Sequence, residues 1–131
     1  MHQGSCLCGA VQYEISGALG PIVFCHCRQC RKSQGSAFAV NAPVQASQFR
    51  LLAGDEVLTE YESSPGKKRV FCKICGSPIF SKRDSAPDVL RLRIGGLDGE
   101  IPGRPTAHIF VASNAGWFEI TDTLPQHGER P

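Results

Sequence analysis

Seven cysteines, at positions 6, 8, 25, 27, 30, 72 and 75, constrain this 131-residue chain more than any other feature. An odd number cannot pair completely into disulfides within one chain. The opening run Met1-His2-Gln3-Gly4-Ser5-Cys6 shows neither the basic nor the apolar segment of a secretory signal. The expected compartment is therefore the cytoplasm, where thiols stay reduced. Clustered cysteines in that setting read as metal ligands or reactive thiols. Counting seven thiolates and two divalent ions takes the formal charge from +2 to −1.

The cysteines fall into three groups. Cys72-Lys73-Ile74-Cys75-Gly76 has the form of a zinc knuckle. A two-residue gap in a tight turn aims both sulfurs at one point, and Gly76 supplies the positive φ such a turn needs. Two thiolates do not close a tetrahedral site. Cys6 and Cys8, spaced i and i+2 and expected at a strand edge, point to one side and complete it. The resulting structural zinc would tie the N-terminus to a segment more than sixty residues away, so its binding would add to folding.

Cys25-His26-Cys27-Arg28-Gln29-Cys30 leaves three thiolates within six residues. Three protein ligands plus one open position is the arrangement of a catalytic zinc. Soft sulfur ligands admit a fourth, exogenous thiolate, and a metal-bound thiol loses its proton. The expected chemistry is activation of a small thiol substrate, with activated water as the competitor. Spacing alone also permits other assignments. The middle group can share the structural site, the knuckle can be a pair of buried or redox-active thiols, and an iron–sulfur cluster is a minor alternative.

The rest of the chain reads as one all-β domain over residues 1–131. Hydrophobic residues make up 41% and charged residues 20%, which excludes a disordered chain. No apolar run approaches the roughly 20 residues of a membrane span. A formal charge of +2 is too small for electrostatic nucleic-acid binding. Ala10–Ser16 and Val89–Ile94 alternate strictly, the latter with Leu90, Leu92 and Ile94 opposite Arg91 and Arg93. Such period-2 runs are half-buried strands. Weaker strands are expected at Ile22–Cys25, Ala37–Asn41, Phe49–Leu52, Val57–Glu62, Lys68–Cys72, Pro78–Lys82 and Ala107–Val111, with glycine and proline turns between them. A helical turn is expected near Cys30 to Gln34. The tail after Leu124 has little to bury and is expected to be mobile.

Other residues carry weaker signals. Arg28, Arg31 and Lys32 flank the middle thiolates, either as solvated charges or to recognise substrate carboxylates. Arg31 and Lys32 are the candidates for the second role. His26, turned away from the metal by alternation, reads as a supporting or packing residue. His108 reads as a packed strand histidine, Lys67-Lys68-Arg69 as a solvated loop, and Trp117-Phe118 as a core cap. No Ser/His/Asp or paired-carboxylate constellation stands out.

Taken together, Gly4-Ser5-Cys6-Leu7-Cys8-Gly9-Ala10-Val11, Cys25-His26-Cys27-Arg28-Gln29-Cys30-Arg31-Lys32 and Phe71-Cys72-Lys73-Ile74-Cys75-Gly76-Ser77-Pro78 resemble the glutathione-dependent formaldehyde-activating enzymes, which are related to centromere protein V. His108-Ile109-Phe110-Val111 and Trp117-Phe118 resemble that family's C-terminal segment. The resemblance implies a β-tent fold of short twisted antiparallel sheets with a zinc knuckle. It implies a structural zinc on Cys6, Cys8, Cys72 and Cys75. It also implies a second zinc on Cys25, Cys27 and Cys30, where the glutathione thiol binds. The implied reaction joins glutathione and formaldehyde into S-hydroxymethylglutathione, a carbon–sulfur lyase reaction in reverse. The alternative is a non-enzymatic thiol carrier or protein-binding module on the same zinc scaffold.

Overall fold

The computed structural model describes residues 1–131. Ten strands and one short helix follow in chain order: β1 (His2–Ser5), β2 (Gln12–Ile15), β3 (Ile22–Cys25), α1 (Arg28–Gln34), β4 (Ala39–Gln45), β5 (Phe49–Ala53), β6 (Leu58–Ser64), β7 (Lys67–Cys72), β8 (Pro78–Arg83), β9 (Ala86–Arg93) and β10 (Pro105–Ile109). The all-β expectation holds. No helix is long and apolar enough to cross a membrane.

The strands form two sheets. One has three strands in the order β1-β2-β5, and the other has seven in the order β10-β3-β4-β9-β8-β7-β6. Every neighbouring pair is antiparallel except β10 with β3, which run parallel. The alternation in β2 buries Tyr13 and Ile15, and that in β9 buries Leu90 and Leu92. These side chains meet, with Val11, Val44 and Ile79, in the core between the sheets. Tyr13 stacks on Phe49 with ring centroids 5.1 Å apart. Burial raises its phenol to about 12.

Two elements differ from the sequence reading. Strand β1 was not expected, because His2-Gln3-Gly4-Ser5 carries no apolar alternation. It forms because it pairs with β2 and because Gly4 lies against the Tyr13 ring, where any Cβ would clash. The tail is not loose. His108 N–H donates to Pro125 O and His127 N–H to His108 O, both at 2.9 Å, so the tail runs parallel to β10 beyond the sheet edge. Val111 and Ala112 N–H extend the pairing to His127 and Gly128. The tail is held by backbone hydrogen bonds, which hydropathy does not report.

The large sheet has two unlike faces. Lys67 pairs across with Arg83, Arg69 with Ser81, Ser81 with Arg91, and Asn41 with both Arg93 and Val23. Residues directly opposite share a face. Lys67, Arg69, Arg83, Arg91, Arg93, Asn41 and, two residues along β3 from Val23, Cys25 therefore point to one side. The opposite side carries Leu90 and Leu92 into the core. Helix α1 packs over the polar side, where Arg69 donates to Gln29 Oε1 and Ser33 Oγ, both at 3.3 Å.

Candidate metal centres

The first cluster joins two turns. Cys6 follows β1 directly, and an exposed Leu7 separates it from Cys8 in the turn before β2. The pair thus sits in a turn and not on a strand edge. The turn folds this way because Gly9 adopts φ 82° and its N–H donates to Cys6 O at 3.1 Å. The second turn follows β7. Gly76 adopts φ 78°, its N–H donates to Cys72 O at 2.7 Å, and Cys72 N–H donates to Ser77 O at 3.0 Å. Ser77 Oγ accepts from Leu7 N–H at 2.9 Å and lies 3.2 Å from Cys75 Sγ, so one hydroxyl bridges both turns.

The sulfurs of Cys6, Cys8, Cys72 and Cys75 all lie within 4.8 Å of one another. Cys6 Sγ is 3.6 Å from Cys8 Sγ, which is 3.9 Å from Cys72 Sγ. Tetrahedral zinc with Zn–S bonds of about 2.3 Å places its sulfurs about 3.8 Å apart, so this donor set fits the ion. Ser77, through its hydroxyl and backbone, pulls the Cys75 thiol down to about 5. Val11 N–H adds a 3.2 Å bond to Cys6 Sγ.

The second cluster is built where β3 runs into α1. Cys25 ends the strand, Cys27 is the helix N-cap and Cys30 lies in the first turn. Cys27 Sγ accepts from Cys30 N–H at 3.3 Å, and Cys27 O accepts from Arg31 N–H at 2.9 Å. This cap geometry brings the three sulfurs within 4.8 Å of one another, and no fourth His, Cys, Asp or Glu joins them. The set fits a metal ion that keeps one position open. Cys25 and Cys27 lower the Cys30 thiol and are helped by Arg93 and Arg69, while Cys25 is pushed up by Cys27 and Cys30. Arg69 Nη1 lies 3.7 Å from Cys30 Sγ.

A cleft of about 340 Å³ opens in front of these three sulfurs. Its lining includes Arg28, Lys67, Arg69, Arg83, Arg91 and Arg130, and no Asp or Glu. Arg130 reaches it from the tail and lies over the Phe110 ring, 5.6 Å from the centroid. Phe110 is the one non-glycine residue with positive φ, at 56°.

The structure brings all seven sequence-predicted cysteines into two groups, divided as the spacing argument divides them. It does not bring Arg31 and Lys32 to the thiolates' cleft. Lys32 is exposed, and Arg31, one helical turn beyond Cys27, has its Nε buried outside the cleft lining. Lys67 and Arg69, read from sequence as part of a solvated loop, line the cleft from β7. Only Lys68 of that run points to the other face, where it pairs with Asp84 at 3.1 Å. Trp117 does not cap the core, being 73% exposed, whereas Phe118 packs on Phe38.

Sequence reasoning also missed a buried polar chain behind the second cluster. His26 Nε2 lies 2.8 Å from His108 Nδ1, and His108 Nε2 lies 2.9 Å from Asp122 Oδ2. Both imidazoles are buried. Burial and the neighbouring His108 lower the His26 pKa. His108 Nε2–H donates to the Asp122 carboxylate, so in a neutral His108 the Nδ1 accepts from His26 Nε2–H. Phe24 stacks on His108 at 4.8 Å. The alternation of His26 with Cys25 and Cys27 was the available signal, but nothing in the sequence links it to a residue 82 positions away.

These features define a β protein carrying one four-thiolate and one three-thiolate cluster. The chain belongs to the family described as glutathione-dependent formaldehyde-activating enzyme, which it matches over residues 1–113. It is 29% identical over 79 residues to a protein of Schizosaccharomyces pombe named as an uncharacterized lyase. That match covers 60% of this chain and 56% of the yeast protein, so the chain spans little more than half of that relative's length. It is also similar to the crystal structure of a Rhodobacter sphaeroides protein, at 30% identity and a TM-score of 0.64. That likeness covers 76% of this chain and 91% of the other.

Proposed function

We propose that this chain is a zinc-dependent enzyme of carbon–sulfur lyase type. It activates a small thiol, glutathione in the family's named reaction, for reversible addition to an aldehyde such as formaldehyde, giving S-hydroxymethylglutathione. Cys6, Cys8, Cys72 and Cys75 hold a structural zinc, and Cys25, Cys27 and Cys30 hold the reactive one, two per chain. The observation that carries this reading is the three-sulfur cluster without a fourth protein ligand, facing a cleft of about 340 Å³.

Zinc bound there would hold a substrate sulfur as its thiolate and act as a Lewis acid toward the carbonyl oxygen. The reaction is an addition. A carbon–sulfur bond forms from a sulfur lone pair, the carbonyl π bond opens, and the thiol proton ends on the oxygen. No oxidant or reductant takes part. Cys25, Cys27 and Cys30 supply the ligand set. Arg69 ties Cys30 to Gln29, Ser33 and, through its Nε at 3.0 Å, Ser63 Oγ, which fixes the ligand-bearing helix to the sheet. The cations of the cleft hold the anionic groups of the thiol.

The test is exchange NMR of glutathione and formaldehyde with zinc-loaded protein. The reading predicts adduct formation in proportion to protein, lost in Cys27→Ala. A rate equal to that of the uncatalysed mixture contradicts it.

A further inference from the structure

The cleft is charged beyond what the thiolates themselves need. Three thiolates and one zinc ion sum to a single negative charge, yet Arg28, Lys67, Arg69, Arg83, Arg91 and Arg130 converge on that space. None of the six is paired with a carboxylate. The carboxylate pairs of lysine and arginine in this chain are Arg50 with Glu14, Lys68 with Asp84 and Lys82 with Glu60. Lys68 and Lys82 lie on the same strands as Lys67 and Arg83 but on the other face, and there each has its carboxylate. Within β7 and β8 the cations without a carboxylate are those on the side that carries the sulfurs.

Several of these cations are withdrawn from water. Lys67 is 7% exposed, and it sits directly across from Arg83 in the β7–β8 pair. Like charges directly opposite in a sheet destabilise it. Burial, followed by Arg83, Arg69 and Arg91, lowers the Lys67 ammonium to about 8. Arg83 Nε is buried without a hydrogen-bond partner. Just beyond the cleft wall Arg93 is 4% exposed and its Nε is likewise unpartnered. Uncompensated buried cations are costly, and an anion that enters the cleft relieves that cost. The guanidinium groups of Arg83 and Arg91 suit carboxylate or phosphate oxygens.

The lining is as informative for what it lacks. With no Asp or Glu, a substrate ammonium finds no carboxylate and meets several like charges. The unpartnered acceptor there is Asn41 Oδ1, buried beside the β3 cysteine. A neutral amide N–H satisfies it. We propose that this cleft selects a low-mass thiol bearing two or more anionic groups and no free ammonium, in preference to glutathione with its free amine. The proposal rests on the reading of the three-cysteine cluster as a thiol site, and names the class of thiol.

Titration calorimetry on the protein loaded with two zinc ions tests it. The probes are glutathione, N-acetylglutathione, mercaptosuccinate, 2-mercaptoethanol and cysteamine. N-acetylglutathione is expected to bind about tenfold or more tighter than glutathione, and mercaptosuccinate tighter than 2-mercaptoethanol by a similar factor, with cysteamine weakest. In Arg91→Gln, with zinc content checked, the preference for N-acetylglutathione is expected to shrink severalfold. Glutathione binding as tightly as its N-acetyl form overturns the proposal and leaves the thiol site standing. Failure of every thiol to bind overturns the thiol site, and the proposal with it.

Discussion

The two cysteine clusters use the same ligand atom in opposite surroundings. The four-sulfur cluster is closed by its own chain. Two glycine-bearing turns wrap it, and Ser77 spans both by contacting Leu7 N–H and Cys75 Sγ. The three-sulfur cluster is open. It is set on a strand end and a single helical turn, its sulfurs meet one backbone N–H, from Cys30 to Cys27, and one arginine, Arg69, and it faces a cleft lined by six cations. Backbone N–H groups neutralise sulfur charge without needing anything further. Side-chain cations around a cleft leave room for a ligand. On the proposed reading, one cluster fastens the fold and the other receives a molecule.

Breaking the closed cluster should have the largest effect. Cys72 is wholly buried, and its sulfur meets that of Cys8 across 64 positions of sequence. Cys72→Ser is expected to lose the structural zinc and several kcal/mol of stability, read as zinc per chain and thermal unfolding. A midpoint within a few degrees of the parent would remove the distinction between the clusters. Cys27→Ala attacks the open cluster instead. It is expected to keep the fold, lose one of two zinc ions and lower thiol–aldehyde turnover by about 100-fold or more. Circular dichroism beside the exchange assay separates these outcomes.

Smaller effects sharpen the contrast. Arg69→Leu removes the bridge between β7 and α1. It is expected to weaken zinc retention at Cys25, Cys27 and Cys30 by about 10-fold while leaving the other zinc in place, measured by competition with a chromogenic chelator. The least effect is expected from acid. The Leu124 backbone N–H and then His108 hold the Asp122 carboxyl below its ordinary value. Such a group stabilises the folded state above its unfolded pKa and loses that contribution as pH falls through the folded one. Asp122→Asn is therefore expected to flatten the acid limb of stability below about pH 4, without changing zinc content.

What the sequence disclosed follows from where its signals are local. Spacing decides whether Cys72 and Cys75 can share a turn, so the division of the cysteines was legible. Alternation and turn residues placed every strand but β1, including β9 with Leu90 and Leu92 inward. The same alternation misled about the other face. Arg91, Lys67 and Arg69 occupy polar positions, which ordinarily mean solvent, but α1 and Arg130 of the tail close over that side and make it the floor of the cleft. Arg31 and Lys32 were favoured because they adjoin Cys30 in sequence, but adjacency does not fix where a long side chain ends: Lys32 is exposed and Arg31 has its Nε buried outside the cleft lining. Strand β1 and the tail depend on pairing with β2 and β10. The His26–His108–Asp122 chain depends on three distant segments meeting. Long-range pairing of this kind leaves no periodic mark.

The central claim is that one cluster is closed and the other open. Zinc per chain, measured before and after mild chelation with the fold monitored, tests it most directly. The account predicts two zinc ions, one removed readily from a protein that stays folded and restored by added zinc, and one retained. A single zinc that added metal does not supplement, or two that leave together as the chain unfolds, would contradict it.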